Sequence, residues 1–371
     1  MNRSQLLIVS LIAMTLVIVA AAYRTTAAAT ATPSFGTIFP AASMLEPRSG
    51  HSATLLPDGQ VLIAGGMRRN QDFYKSAELY DPATGKFQPT GEMNQRRVGQ
   101  VAVLLLTGKV LIAGGWVGHG GTDSAELYDP ASGKFSVISQ MTTRRGRPSA
   151  TLLDDGDVLI AGGEETDNES VASVEIFHVK TLSFHATGPM HHARVAHTAT
   201  LLADGRVLVV GGYAGSVSSS AEIYDPKTGS FTETASLITA RCKHTAGLLS
   251  DGRVLVAGGS DNRGWNGSLS SAEIYDPKTE RFTSASALND SRFKLPDEAV
   301  RLADGKLLIA GGSKEVEVFD PAHGKFLVVA GEMADARHYM AETKLKDGSV
   351  LLTGGYPNND QATAQAWIYR P

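Results

Sequence analysis

Seven basic side chains recur along this chain at one fixed place. Arg48, Arg97, Arg145, Arg194, Arg241, Lys294 and Arg337 each stand ten residues before an Asp-Gly or Thr-Gly pair. Cations repeated with such regularity can form a collar that holds carboxylates, sulfates or acidic peptides, because guanidinium groups grip planar oxyanions through charge-assisted hydrogen bonds. A structural alternative lies in the same repeats. Glu78, Glu126, Glu175, Glu222, Glu273 and Glu317 recur downstream and can neutralise the basic residues as a repeated internal bridge. Arg68, Arg69, Arg96, Arg144 and Arg147 are additional basics confined to the first three copies, which puts the anion-binding side of the rim there.

Three residues after each basic position the copies read His51, Gln100, Pro148, His197, His244, Asp297 and Met340. Adjacent copies thus present His197, His244 and Asp297. Neutral imidazoles and a carboxylate can hold a divalent metal or act as acid and base on a bound sugar, and they can equally hydrogen-bond the neighbouring repeat. No resident metal or other cofactor is expected. His197, His244 and Tyr339 are the acid–base candidates should the protein be an enzyme. The chain has no phosphate loop, no Gly-x-Ser-x-Gly elbow and no His-Glu-x-x-His helix. Trp116, Trp265 and Tyr356 fall in variable loops, where aromatic faces can stack on sugar rings or pack the loops themselves. His191-His192 reads as an exposed polar pair.

The elements that must position these residues are β-hairpins. In the stretch from His197 to Gly212, HTATLLADGRVLVVGG, two apolar arms flank Asp204-Gly205, the favoured two-residue hairpin connection. The second arm is apolar without alternation, which fits a strand covered on both faces. Variants recur through the chain, with double glycines at Gly65-Gly66, Gly114-Gly115, Gly162-Gly163, Gly211-Gly212, Gly258-Gly259, Gly311-Gly312 and Gly354-Gly355. Each copy continues into a third strand, a turn and an aromatic that opens a fourth strand, most fully as SAELYDPATGKF from Ser76 to Phe87. Four strands per repeat, with the double glycine and the downstream tyrosine and aromatic, resemble the Kelch motif, and the DGRVLVAGG style is similar to bacterial repeats and to the propeller domain of galactose oxidase. The resemblance spans about Ser34 to Pro371 and implies an all-β, seven-bladed Kelch-type β-propeller.

The seventh copy ends after its third strand. Phe39 and Met44 match the fourth-strand pattern of Phe87 to Met93, so Thr37 to Ala42 is expected to complete the seventh blade and close the ring with an N-terminal strand.

Composition agrees with many turns and a large core: 371 residues, 42% hydrophobic, 39 glycines and 15 prolines. A net charge of −4 argues against a general nucleic-acid binder. The single cysteine, Cys242, excludes an intramolecular disulfide. The apolar run from Leu6 to Ala22, followed by small residues, resembles an export signal, with a signal anchor as the competing interpretation. Residues 1–33 are therefore expected to be leader and spacer, and 34–371 a propeller that is periplasmic, secreted or on the outer cell surface, meeting a membrane only through an uncleaved leader. A monomer is expected.

The resemblance implies a binding module, with an acidic glycan or an acidic protein segment as partner. In the Kelch adaptor of the oxidative-stress response, arginines at the matching position hold an acidic peptide. The alternative is a carbohydrate-active enzyme similar to Kelch-fold sugar mutarotases or propeller-shaped polysaccharide lyases. Comparison with galactose oxidase points to His197 and Tyr339 as the matching copper ligands. The family's partner tyrosine, crosslinking cysteine and further domain have no counterparts here, so copper radical oxidation is not expected.

Overall fold

The computed structural model describes residues 35–167, 169–263, 267–357 and 361–371. The expected leader and Trp265 lie outside the described residues. Phe35 to Pro371 form a single unit of seven four-stranded antiparallel sheets, plus a two-stranded ribbon, Glu164–Thr166 with Glu169–Ser170. The seven sheets are the blades of a β-propeller, numbered one to seven in chain order.

Each blade follows from the hairpin repeat. In blade one Ser52–Leu55 lies innermost and pairs with Val61–Ala64, which pairs with Ala77–Asp81, which pairs with Lys86–Pro89. The second strands, VLIA in blades one to three, are buried at every position. Their two faces serve two neighbours: Leu62 and Ala64 of blade one pack with Val110, Ile112 and Tyr128 of blade two in one apolar cluster. Tyrosines on the third strands tie blades together at their polar ends. Tyr128 meets Thr90 at 2.9 Å, Tyr224 meets Thr187 at 2.8 Å and Tyr275 meets Thr234 at 2.9 Å.

The ring closes through the N-terminal segment. Thr37–Pro40 pairs antiparallel with Ala366–Arg370, in register from Thr37↔Arg370 to Pro40↔Trp367, and supplies the outermost strand of blade seven. A strand from one end of the chain thus covers the edge left by the other.

Blade six departs from the repeat. Its innermost strand is only Val300–Arg301, because Glu298 bridges to Ala246 of blade five instead of pairing within its own blade. That detour leaves the Ala310 amide without the ladder partner its equivalents have. The carboxylate Oε1 of Glu342, reaching over from blade seven, accepts its hydrogen bond at 2.9 Å.

Candidate functional site

The repeated arginines are not an exposed collar. Arg48, Arg97, Arg145, Arg194 and Arg241 are at most 1% exposed, and each is ion-paired with the third-strand glutamate of its blade, at 2.9 Å for Arg97–Glu126 and 3.0 Å for Arg145–Glu175. Their Nη1 atoms bond the carbonyls of Gly65, Gly114, Gly162, Gly211 and Gly258, the first residue of each double glycine. The glutamates also accept backbone amides of the incoming connection, as Glu175 does from Thr142 and Thr143. The cluster is a clasp on the strand exit, and the physical reason is burial: the carbonyl there needs a donor, and the arginine that supplies it needs the glutamate to neutralise its charge.

Lys294 is not the sixth member. Arg292 occupies that place, fully buried against Glu317 and close to the carbonyls of Ile309, Gly311 and Glu315. The detour in blade six adds two residues between the clasp arginine and the hairpin turn, so a count of ten back from Asp304 reaches Lys294 and not Arg292. Arg337 lacks a third-strand glutamate. Its Nη2 bonds Gln365 at 2.5 Å and its guanidinium lies over Trp367.

The histidines face neighbouring blades. His51 bonds Thr353 at 2.9 Å, His197 bonds Ser149 at 2.9 Å and His244 bonds Thr198 at 3.0 Å, each through Nε2 and each less than 9% exposed. Gln100 does the same in blade two, bonding Ala64. Burial, with the adjacent clasp arginines, holds His51 and His197 down at about 3 and His244 well below its ordinary value, so all three are neutral struts at physiological pH. Asp297 is exposed to the central channel cavity, and desolvation there raises its pKa. Among the described residues no group of three His, Cys, Asp or Glu side chains is arranged to hold a metal. His191 and His192 are half exposed and meet Glu222 and Glu233.

The residues that face the mouth of the channel stand one position before this histidine row, in which Leu295 and not Asp297 takes the place in blade six. Gly50, Gly99, Arg147, Ala196, Lys243, Lys294 and Tyr339 all adopt left-handed backbone, with φ between 50° and 62°. Blade-to-blade amide bonds link them: Gly50 to Tyr339, Gly99 to Gly50, Arg147 to Gly99, Lys243 to Ala196 and Tyr339 to Lys294. Five of the seven are not glycine, although a side chain in this conformation costs about 1–2 kcal/mol. Strain kept where glycine would relieve it points to side chains with a task.

Arg147 and Tyr339 form the centre of that mouth. The stem of Arg147 lies flat on Gly99, where a Cβ would come within 2.6 Å of its Cγ. From blade three it reaches past blades two and one to blade seven, where Nη1 donates to the Tyr339 hydroxyl at 2.7 Å and the guanidinium sits 4.4 Å from the ring centroid. Burial alone would lower the Arg147 pKa, but the Tyr339 hydroxyl and the Asp297 and Glu164 carboxylates outweigh it. Among the described residues no carboxylate lies within ion-pair distance. Lys294 is buried, bonds the Tyr356 hydroxyl at 2.8 Å and lies near the rings of Phe293, Tyr339 and Tyr356.

Above this strap opens a pocket of about 410 Å³, walled by Met67, Phe73 and Trp116 and fringed by Gln71, His119 and Asp167. Below it lies a channel cavity of about 310 Å³, and the two share Gly50, Gly99, Arg147 and Tyr339. The Trp116 indole lies against Gly146, whose missing Cβ makes room for it. Loop tips of three blades meet over the pocket, with Gln71 bonding His119 at 3.1 Å and His119 3.7 Å from Asp167. Arg96 and Arg144 are exposed on the surface. Of the residues singled out from sequence, the structure brings Arg147, Tyr339 and Trp116 together at this pocket. Sequence reasoning missed Gly50, Gly99, Lys243, Phe73 and His119. Reading the position eight before the turn would have found the first three.

This architecture is that of a Kelch-repeat β-propeller. A model described as the Kelch motif matches residues 97–142, 194–238 and 241–289. Among solved structures, the fold is similar to a fungal alcohol oxidase of the AA5 family, in complex with copper, with a TM-score of 0.73 and 17% identity, over 91% of this chain and 76% of that one. No curated protein matches. The chain thus carries Kelch motifs, and its propeller fold is similar to that of this oxidase. Its residues do not fit the copper of that relative: His197 is sealed against Ser149, and the Tyr339 hydroxyl is engaged by Arg147.

Proposed function

We propose that this protein is a binding module whose loop face takes an anionic, ring-bearing ligand, with an acidic glycan favoured over an acidic protein segment. One observation carries this: Arg147, held charged and without an ion-pair partner among the described residues, forms the floor of a pocket walled by aromatic side chains. Aromatic walls offer flat apolar faces to sugar rings, and polar tips such as Gln71 and His119 suit their hydroxyls. Exposed Arg96 and Arg144 add positive surface charge that speeds encounter with an anion. An exported location fits such a ligand and is proposed with it.

The enzyme alternative narrows to Tyr339, the one acid–base candidate bordering the pocket, since His197 and His244 are buried struts. Titration calorimetry of the full chain with oligogalacturonate, an acidic peptide and a neutral galactose oligomer tests the proposal. Oligogalacturonate is expected to bind, with affinity falling steeply as salt rises, and Arg147→Met to abolish binding with the melting temperature unchanged. Equal binding of the neutral oligomer, or no effect of Arg147→Met, overturns it.

A further inference from the structure

We infer that the anionic group this site takes is a carboxylate, received on the Nε–Nη2 edge of Arg147, with Tyr339 as the positioning residue that keeps that edge presented. The inference rests on the binding function proposed above and deepens it.

The chain itself shows how it uses a buried arginine. In Arg48, Arg97, Arg145, Arg194, Arg241 and Arg292, Nη1 is tethered to backbone carbonyl oxygens and Nη2 carries a carboxylate, joined by Nε in Arg48 and Arg145, while Nε of Arg97, Arg194, Arg241 and Arg292 is buried without a partner among the described residues. Arg145 shows the fullest form, with Nε at 3.3 Å and Nη2 at 3.0 Å from the same Glu175 oxygen. Arg147 reproduces half of the pattern. Its Nη1 is tethered to an oxygen, the Tyr339 hydroxyl, and its edge holds no carboxylate of the described residues.

The strap is also built at a cost that folding does not require. Arg147 and Tyr339 both hold left-handed backbone, at φ 50° and 52°, and Gly99 is bare where the arginine stem crosses. Planar carboxylates match the guanidinium fork, whereas a tetrahedral sulfate depends more on charge alone. Asp297 and Glu164 act on Arg147 from a distance without pairing, so their field limits affinity and a ligand carboxylate must make direct contact to prevail.

Three probes and two variants test this on the full chain: oligogalacturonate, a sulfated galactose oligomer of equal length, and the neutral oligomer. Oligogalacturonate is expected to bind at least tenfold tighter than the sulfated oligomer. Arg147→Lys, which keeps the charge and loses the fork, is expected to erase that preference. Tyr339→Phe should lower it several-fold with an unchanged melting temperature, a shift in discrimination that a merely structural tyrosine would not produce. Equal affinity for the carboxylated and sulfated oligomers in the parent protein overturns the carboxylate assignment while leaving an anion-binding module. Preference unaltered in both variants overturns the roles of Arg147 and Tyr339. Binding of neither acidic oligomer removes the underlying function as well.

Discussion

Two rings of residues circle this propeller a few ångströms apart, and they obey opposite rules. The clasp ring repeats one chemistry, a buried arginine on a buried glutamate, in six blades. The mouth ring repeats one backbone conformation and varies its chemistry from glycine to arginine, alanine, lysine and tyrosine. Regularity in the first marks a structural need common to every blade. Irregularity in the second marks positions the blades do not need, which is why the candidate site lies there.

The sharpest way to break this contrast is to remove one clasp partner. Glu222→Ala would leave Arg194 charged and 1% exposed without its carboxylate, and free the His191 and His192 amides as well. Loss of one member of such a buried pair costs about 3–5 kcal/mol, read as a fall in the denaturant midpoint. Arg147→Met, by contrast, is expected to leave that midpoint in place.

Blade six supplies the second test. Burial pushes the Glu342 carboxyl up to about 8, above its ordinary 4.5. The folded state therefore binds the proton more tightly than the unfolded one, and stability falls as pH rises from about 4.5 to about 8 and then levels. At roughly 1.4 kcal/mol per pKa unit the ceiling is ~5 kcal/mol, lowered by water in the channel that Glu342 lines. Glu342→Gln keeps an oxygen for the Ala310 amide and removes the charge. It is expected to match the parent at pH 4 and exceed it at pH 9; identical pH profiles would show that the carboxylate is not desolvated.

These two tests also divide what was legible in the sequence from what was not. Blade number, strand order and closure by Thr37–Pro40 were legible because apolar arms, Asp-Gly turns and double glycines each impose a local geometry that spacing records. The glutamate partners were legible as an alternative to the collar, and burial decides in their favour. Lys294 was misaligned because counting back from the turn ignores the two residues added by the detour in blade six. Glu342 was invisible for a related reason: it replaces an alanine of the repeat to repair a defect in the neighbouring blade, and only the fold brings the two together. The mouth ring stayed hidden because its common feature is a φ angle, which five different residue types adopt.

The smallest expected effect is the most pointed. Ala196 and Gly211 hold similar left-handed backbone, at φ 54° and 64°. A Cβ on Gly211 would come within 2.5 Å of the Arg241 carbonyl oxygen, a backbone atom that cannot yield without loosening the clasp. Gly211→Ala should therefore cost several kcal/mol through strain and steric overlap together (~1–3 kcal/mol for strain alone). Ala196→Gly runs the other way. It relieves about 1 kcal/mol of left-handed strain and gives back about 0.4–1 kcal/mol through the looser unfolded chain, so the melting temperature should barely move. A large loss at Ala196 would mean that the mouth ring is held by folding like the clasp ring beside it. A negligible change would leave ligand contact as the reason for the arginine, lysine and tyrosine that stand in the equivalent places.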